Sequence, residues 1–303
     1  MRPVFLSLFL ALPAHADVPA VMADIAPVQS IAAAVMGDLG TPDLLISGAA
    51  DPHHMQLRPS EARRIANADL ILWVGPELTP WLTDTLAAIA PQTPTVALMS
   101  APGSIARPPM FAEDDHGHDH GHSHDHDDED GAADAHTWLD PVNAAAWADA
   151  IAQALADADP ANAATYRSNA AALRLRLDSL TTEAAEILMP VKDRAVIVQH
   201  DAYAHFADRF GLSIAGSISD SDAAGPGTAT MIRLSQEMQA GGIACLFTEA
   251  QESTDLAVRL VEGTRVRLGQ LDPLGSMLAP GPDLYGALIL GLARDYAACA
   301  GGD

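Results

Sequence analysis

Residues 160–189, PANAATYRSNAAALRLRLDSLTTEAAEILM, contain no glycine and no proline after Pro160. The alanine, leucine, arginine and glutamate residues that fill this stretch favour an α-helix. Pro160 and Pro190 stand at its two ends, where proline typically opens or follows a helix. A helix of this length would span roughly 45 Å. We therefore predict a linking helix over 159–190 that joins an N-terminal lobe, 17–158, to a C-terminal lobe, 191–303.

Both predicted lobes alternate short apolar runs with helical patterns. The predicted strands are 44–46, 70–74, 95–99, 195–198, 212–218, 243–247 and 266–271. The predicted helices are 59–68, 80–90, 202–210, 231–240, 256–263 and 284–298. Near-continuous apolar strands separated by helices predict parallel sheets that are covered on both faces. The expected fold class is therefore α/β, with two lobes of parallel-type sheets flanked by helices and joined by one long rigid helix.

The formal net charge of the chain is −24 at pH 7. A nucleic-acid backbone would be repelled by this charge rather than neutralised, so no nucleic-acid partner is expected. Anionic lipid surfaces are disfavoured for the same reason. An acidic surface is compatible with a protein that handles cations.

The first residues have the three parts of a secretory signal peptide. Arg2 supplies the positive charge, 4–12 form an apolar run too short to span a bilayer, and Ala14-His15-Ala16 has the form of a cleavage site. We predict that residues 1–16 are removed, that the mature chain starts at Asp17, and that the protein is exported to the periplasm. No cysteine follows the apolar run, so a lipid anchor is not expected there.

The chain has two cysteines, Cys245 and Cys299. In an oxidising compartment, the simplest expectation is that they form a disulfide. The alternative is a metal bound by both thiolates, which would require a closer spacing along the chain.

Metal-binding side chains follow four of the predicted strands. In chain order they are His53, His200, Glu249 and Asp272. Ligands of open α/β sheets bind beyond the carboxyl ends of the strands, so these side chains are candidates for one site. His136 stands where a polar loop rejoins the first lobe. Three imidazoles and a carboxylate predict a Zn²⁺ site rather than the oxygen cage of Ca²⁺ or Mg²⁺.

The three predicted imidazole ligands are His53, His136 and His200. The fourth position stays open between Asp272, which we prefer, Glu249 and a water molecule. His54 and His205 are interpreted as bystanders, because a single histidine after a strand is more often an ordinary polar residue.

A second metal-binding pattern lies in the loop 113–130, where histidines alternate with acidic and other residues. Its histidines are His116, His118, His120, His122, His124 and His126. Such a composition cannot form a core, but its imidazoles suit zinc, copper or nickel. An acidic tail with incidental histidines is the alternative interpretation. We predict an auxiliary, low-affinity zinc collector that passes the ion to the buried site.

Several dispersed motifs, in the same order along the chain, resemble a known family. They are Asp51-Pro52-His53, Leu57-Arg58-Pro59-Ser60, Asn67-Ala68-Asp69-Leu70, Trp73-Val74-Gly75-Pro76-Glu77, His136-Thr137-Trp138-Leu139-Asp140-Pro141, His200-Asp201-Ala202-Tyr203 and Leu271-Asp272-Pro273-Leu274-Gly275. The chain is similar to the solute-binding components of ABC-type zinc importers, the ZnuA-type cluster A-I proteins, over essentially its whole mature length.

This resemblance implies that His53, His136 and His200 are ligands, and that Asp272 is a ligand in some relatives only. Relatives for manganese or iron carry a carboxylate at the position of His200, so the histidine favours zinc. The Cys245–Cys299 pair resembles a disulfide of some members. The resemblance also implies a rigid linking helix and a permease of the inner membrane as partner, and we expect the protein to be a monomer.

Three other functions fit parts of this pattern. A zinc hydrolase would also use three protein ligands, but the chain has no H-E-x-x-H motif, so we predict that the protein is not an enzyme. A periplasmic zinc buffer or chaperone would have the same ligands without a transporter. A manganese or iron receptor would be distinguished by competition between metals.

Overall fold

The computed structural model describes residues 18–48, 50–111, 133–219, 227–250 and 253–302. The predicted signal peptide and the histidines of the loop 113–130 lie outside these residues. The elements of the first lobe are β1 (Val21–Ala23), α1 (Ala26–Met36), β2 (Asp43–Leu44), α2 (Pro59–Ala66), β3 (Leu70–Trp73), α3 (Pro80–Ile89) and β4 (Thr95–Ala97). The four strands form a parallel sheet in the order β2-β1-β3-β4.

The second lobe repeats this topology. Its elements, after the linking region, are β5 (Val196–His200), α6 (Ala204–Phe210), β6 (Ile214–Ser219), α7 (Thr228–Gln239), β7 (Cys245–Glu249), α8 (Asp255–Val261), β8 (Arg267–Leu271) and α9 (Leu284–Gly301). The strands are again parallel, in the order β6-β5-β7-β8. In both sheets the order of the strands reverses between the two central strands, which places a ligand-binding crevice at their carboxyl ends. The predicted α/β class with two parallel sheets is confirmed.

The lobes are joined by a pair of helices, α4 (Pro141–Ala158) and α5 (Ala163–Leu188). The turn between them is closed by Asp159, whose Oδ2 accepts hydrogen bonds from Asn162 Nδ2 at 2.6 Å and from the Tyr166 hydroxyl at 2.9 Å. The long helix therefore begins three residues after Pro160, because residues 159–162 form this turn. Helix α4 was not predicted from the sequence.

The long helix is a part of the core. Its buried residues follow one another at spacings of three and four, as expected for one buried face: Tyr166, Ala170, Leu173, Leu177, Leu180, Ala184 and Leu188. This face contacts α4, α1 of the first lobe and α9 of the second lobe. One hydrophobic cluster consequently runs through both lobes. Among the described residues, no helix is both long and apolar enough to cross a membrane.

The two cysteines form the predicted disulfide. Cys245 begins β7 and Cys299 lies in α9, with their Cα atoms 5.8 Å apart. Gly269 of β8 lies directly against this bond, because a Cβ atom there would come within 2.9 Å of the Cys299 sulfur and 2.7 Å of the Phe247 ring. The disulfide thus connects the C-lobe sheet to the helix that packs on the linking helix.

Asp24, at the end of β1, is an ionisable group in the core. Its Oδ1 accepts the Ile25 amide at 2.7 Å, and its Oδ2 accepts the Val74 amide at 2.8 Å. Burial raises the pKa of Asp24 from its ordinary value of 3.8 to about 7, although these hydrogen bonds oppose the change. The folded protein therefore holds a proton here more strongly than the unfolded chain does.

The pKa of Asp24 leads to a prediction about stability and pH. The stabilisation of the folded state by the Asp24 proton is complete below pH 3.8 and is lost as the pH rises through about 7. The free energy of unfolding changes over this range by on the order of 4 kcal/mol at most. Asn at this position cannot ionise, but its amide group can replace only one of the two acceptors. Urea unfolding of metal-free protein should show Asp24→Asn less stable than wild type near pH 5, with the gap closing by pH 8. A gap that does not change between these pH values would refute the prediction.

Candidate metal centre

The three histidines predicted as ligands come together between the two sheets. His53 lies in the loop after β2, His136 precedes the short 3₁₀ turn Thr137–Leu139, and His200 is the last residue of β5. The His136 ring stands in the middle. Its centroid is 5.5 Å from that of His53 and 5.2 Å from that of His200.

The spacing of His136 and His200 suits a shared metal ion. Their Nε2 atoms lie 3.3 Å apart. Two nitrogens that each bind one zinc ion at 2.0–2.1 Å with tetrahedral angles are separated by roughly 3.3–3.4 Å. Within the described part of the chain, no three His, Cys, Asp or Glu side chains already form a closed set of ligands. The structure thus contains a pair of nitrogens at ligand spacing, with a third imidazole beside it.

The His136 ring is held from behind by Asp134. Asp134 Oδ1 lies 2.7 Å from His136 Nδ1 and accepts the backbone amide of His136 at 2.9 Å. Burial alone would raise the pKa of Asp134, but the charge and hydrogen bonds of His136, with a contribution from His205, hold it below its ordinary value. A carboxylate at this position accepts a hydrogen bond from Nδ1–H, which leaves the Nε2 lone pair directed at the site.

The His200 ring is held in the same way by Glu249, the last residue of β7. Glu249 Oε1 lies 2.8 Å from His200 Nδ1 and also accepts the Tyr203 hydroxyl at 2.9 Å. Burial, and then the charge of Glu249, raise the pKa of Tyr203 well above its ordinary value, so the phenol remains a donor. Glu249 therefore lies on the side of the His200 ring that faces away from Nε2.

Asp272, the other carboxylate proposed for the fourth position, is bonded to its own loop. Its Oδ2 accepts the Ser276 hydroxyl at 3.0 Å and the Met277 amide at 3.2 Å, and its Oδ1 accepts the Leu274 amide at 3.3 Å. These bonds order the turn that follows β8.

The loop that carries His53 is fixed by two hydrogen bonds. The Trp81 indole donates to the Pro52 carbonyl at 2.8 Å, and Asp51 Oδ1 accepts the His53 amide at 2.8 Å. His54, the next residue, is exposed.

His205 is fully buried behind Asp134, and its Nε2 lies 4.0 Å from Asp134 Oδ2. Burial lowers the pKa of His205, although the charges of Asp134 and Asp140 oppose this change. The interpretation of His54 and His205 as bystanders stays a prediction.

Asp134 was not singled out by the sequence analysis, although a signal is present. It stands two residues before His136, a spacing that lets the carboxylate reach back to both the backbone amide and Nδ1 of the histidine. Metal-binding histidines commonly donate their second ring nitrogen to such a carboxylate. An acidic residue two positions before a suspected histidine ligand is therefore a useful pattern to search for.

Comparison with known proteins gives a consistent result over nearly the whole chain. The family model described as zinc-uptake complex component A, periplasmic (ZnuA), matches residues 21–299. The high-affinity zinc uptake system protein ZnuA of Paracoccus denitrificans (strain Pd 1222) is 39% identical over 312 aligned residues, which cover 97% of this chain and 95% of that protein. The protein of the same name from Brucella abortus (strain 2308) is 40% identical, with coverages of 92% and 91%.

Solved structures agree with the fold. The crystal structure of a zinc-bound ZnuA deletion mutant has a TM-score of 0.78 to this chain at 22% identity, covering 95% of this chain and 100% of that one. At this level of identity the likeness concerns the arrangement of the two lobes.

Proposed function

Because this chain belongs to the family of periplasmic zinc-uptake components described by the ZnuA model, we propose that it captures Zn²⁺ in the periplasm and delivers it to an ABC-type zinc importer. Residues 1–16 are removed on export in this proposal, and the protein acts as a monomer. The observation that carries the proposal is the 3.3 Å separation of the His136 and His200 Nε2 atoms, each ring backed by a carboxylate. Zinc is the cargo of this protein and not a resident catalytic group.

The proposed ligands are His53, His136 and His200, and Asp272 or a water molecule takes the fourth position. Neutral imidazoles on one ion are the typical environment of zinc, whereas manganese prefers a larger share of carboxylate and water. Glu249 supports His200 in this proposal instead of binding the ion, because its Oε1 already holds Nδ1 of that ring. The loop histidines, His116 to His126, act as a separate collector of lower affinity.

Competition titration tests this assignment. A variant that lacks residues 116–126 is titrated with Zn²⁺ and Mn²⁺ against a chelator of known affinity. We expect one tight zinc site to remain, weaker sites to disappear, and zinc to exclude manganese. Loss of the tight site on deletion of the loop would overturn the assignment. Stimulation of the ATPase of a reconstituted importer by the zinc-loaded protein then separates a transport receptor from a zinc buffer.

The supporting carboxylates provide a separate prediction. Asp134→Asn and Glu249→Gln keep the shape of each side chain but remove the negative charge behind each ring. We expect each to weaken zinc binding by about 10–100-fold, the usual effect of changing a group that orients a ligand. Glu237→Gln, which alters an exposed carboxylate on α7, serves as the matched control and should leave zinc affinity unchanged. If Glu249→Gln weakened zinc binding as much as the loss of a histidine ligand does, Glu249 would have to be a ligand itself.

A further inference from the structure

Helix α6, directly after the strand that carries His200, contributes two ion pairs to the first lobe. Arg209 Nε lies 2.7 Å from Asp140 Oδ1, and Arg209 Nη2 lies 2.7 Å from Asp140 Oδ2. Asp208, its neighbour in sequence, pairs with Arg107 at 2.5 Å. Both pairs cross between the lobes beside the metal centre.

The Arg209–Asp140 pair is the more buried of the two. The Asp140 side chain is fully buried, and its Oδ1 also accepts the Val142 amide at 2.9 Å, which caps the start of α4. Two parallel hydrogen bonds between a guanidinium and a carboxylate fix both distance and angle, which a single contact to an ammonium group does not. The position of Asp140 relative to α6 is therefore tightly defined.

The ion pair connects the same two segments as the proposed metal ion would. Asp140 follows His136 by one short 3₁₀ turn, and α6 follows His200 after a three-residue connection. We infer that Arg209 is a positioning residue, which holds His136 and His200 at tetrahedral spacing before the metal arrives and thereby favours zinc over ions that prefer a wider, six-coordinate shell. This inference rests on the proposed zinc site and deepens it.

Other contacts keep the turn folded when this ion pair is lost. The Trp138 indole donates to the Pro273 carbonyl at 2.7 Å, and the Tyr285 hydroxyl donates to the Trp138 carbonyl at 2.7 Å. These bonds attach the turn to the end of β8 and to α9, whereas Arg209 attaches it to the side that carries His200. Removing Arg209 should therefore loosen the distance between the two histidines without releasing the turn from the second lobe.

The test compares Arg209→Met, Arg209→Lys and Arg174→Met in the variant without the loop histidines. Arg174 forms an exposed ion pair with Asp149 at 3.0 Å, so its replacement controls for the loss of a surface charge pair. Zinc and manganese affinities are measured by competition. The visible absorption of the Co²⁺-loaded protein reports the geometry, since it is intense for tetrahedral and weak for octahedral cobalt.

We expect Arg209→Met to bind zinc about tenfold more weakly, to lose part of its preference over manganese, and to show weaker cobalt absorption. Arg209→Lys, which keeps the charge but not the paired geometry, should fall between this variant and wild type, and Arg174→Met should match wild type. The double variant Asp140→Asn/Arg209→Met removes both charges and keeps a capping side chain. If Arg209→Met does not fold, the double variant is measured in its place.

Wild-type zinc affinity and cobalt absorption in the Arg209 variants would overturn this inference while leaving the proposed function intact. An equal loss in Arg174→Met would also overturn it, because the effect would then not be specific to the pair between the lobes. A wild-type protein without a tight zinc site would instead overturn the proposed function.

Discussion

Alanine at His136 is expected to weaken zinc binding by more than a hundredfold. His136 is the central ring of the three, buried and held by Asp134 from behind. Zinc sites with four protein ligands have binding free energies of roughly 10–16 kcal/mol, so one ligand contributes on the order of 3 kcal/mol. Alanine at His200 should have an effect of similar size. Competition titration of variants that lack residues 116–126 measures the site without the contribution of the loop.

His54→Ala is the control for this experiment. It removes an exposed imidazole that is adjacent in sequence to a proposed ligand, and it should leave zinc affinity unchanged. If the His136 variant retained its affinity, or if the His54 variant lost it, the proposed ligand set would be wrong.

Replacing both cysteines by serine is expected to lower the stability of the metal-free protein by about 4 kcal/mol, because the disulfide closes a long loop and so restricts the unfolded chain. The sequence separation of 54 residues gives the size of this effect. Urea unfolding of wild type and of the Cys245→Ser/Cys299→Ser variant, both without metal, measures it. The disulfide lies at the opposite end of β7 from Glu249, so zinc affinity of the folded variant should change little. Equal stability with and without the disulfide would contradict this expectation.

The parallel architecture could be predicted because its strands are short apolar runs that alternate with helices. Three elements, β1, α1 and α4, were missed for physical reasons. Strand β1 has only three residues, and the apolar residues of helix α1 follow it so closely that the strand does not stand apart in the sequence. Helix α1 is buried on nearly every side, so its sequence lacks the alternation of apolar and polar faces that marks a surface helix.

Helix α4 was also missed. It contains nine buried residues among many alanines, and alanine occurs on both the buried and the exposed faces. The Asp159 turn that separates it from α5 depends on side-chain hydrogen bonds, which a composition argument does not register.

The approach of His53 and His200 to each other could be expected from topology, since the carboxyl ends of parallel strands meet at one edge of a sheet. The roles of the carboxylates could not. Glu249 and Asp272 both follow strands, and position in the sequence does not say which of them lies behind a ring. That distinction depends on the 2.8 Å contact between Glu249 and His200 Nδ1, which is a property of packed side chains.

The most direct test of the account is a crystal structure of the zinc-loaded variant without residues 116–126, with data collected at the zinc absorption edge. We expect one strong anomalous peak between the lobes, about 2.0–2.1 Å from Nε2 of His136 and of His200 and from a ring nitrogen of His53. An anomalous peak elsewhere on the molecule, or one between the lobes with only oxygen ligands, would contradict it.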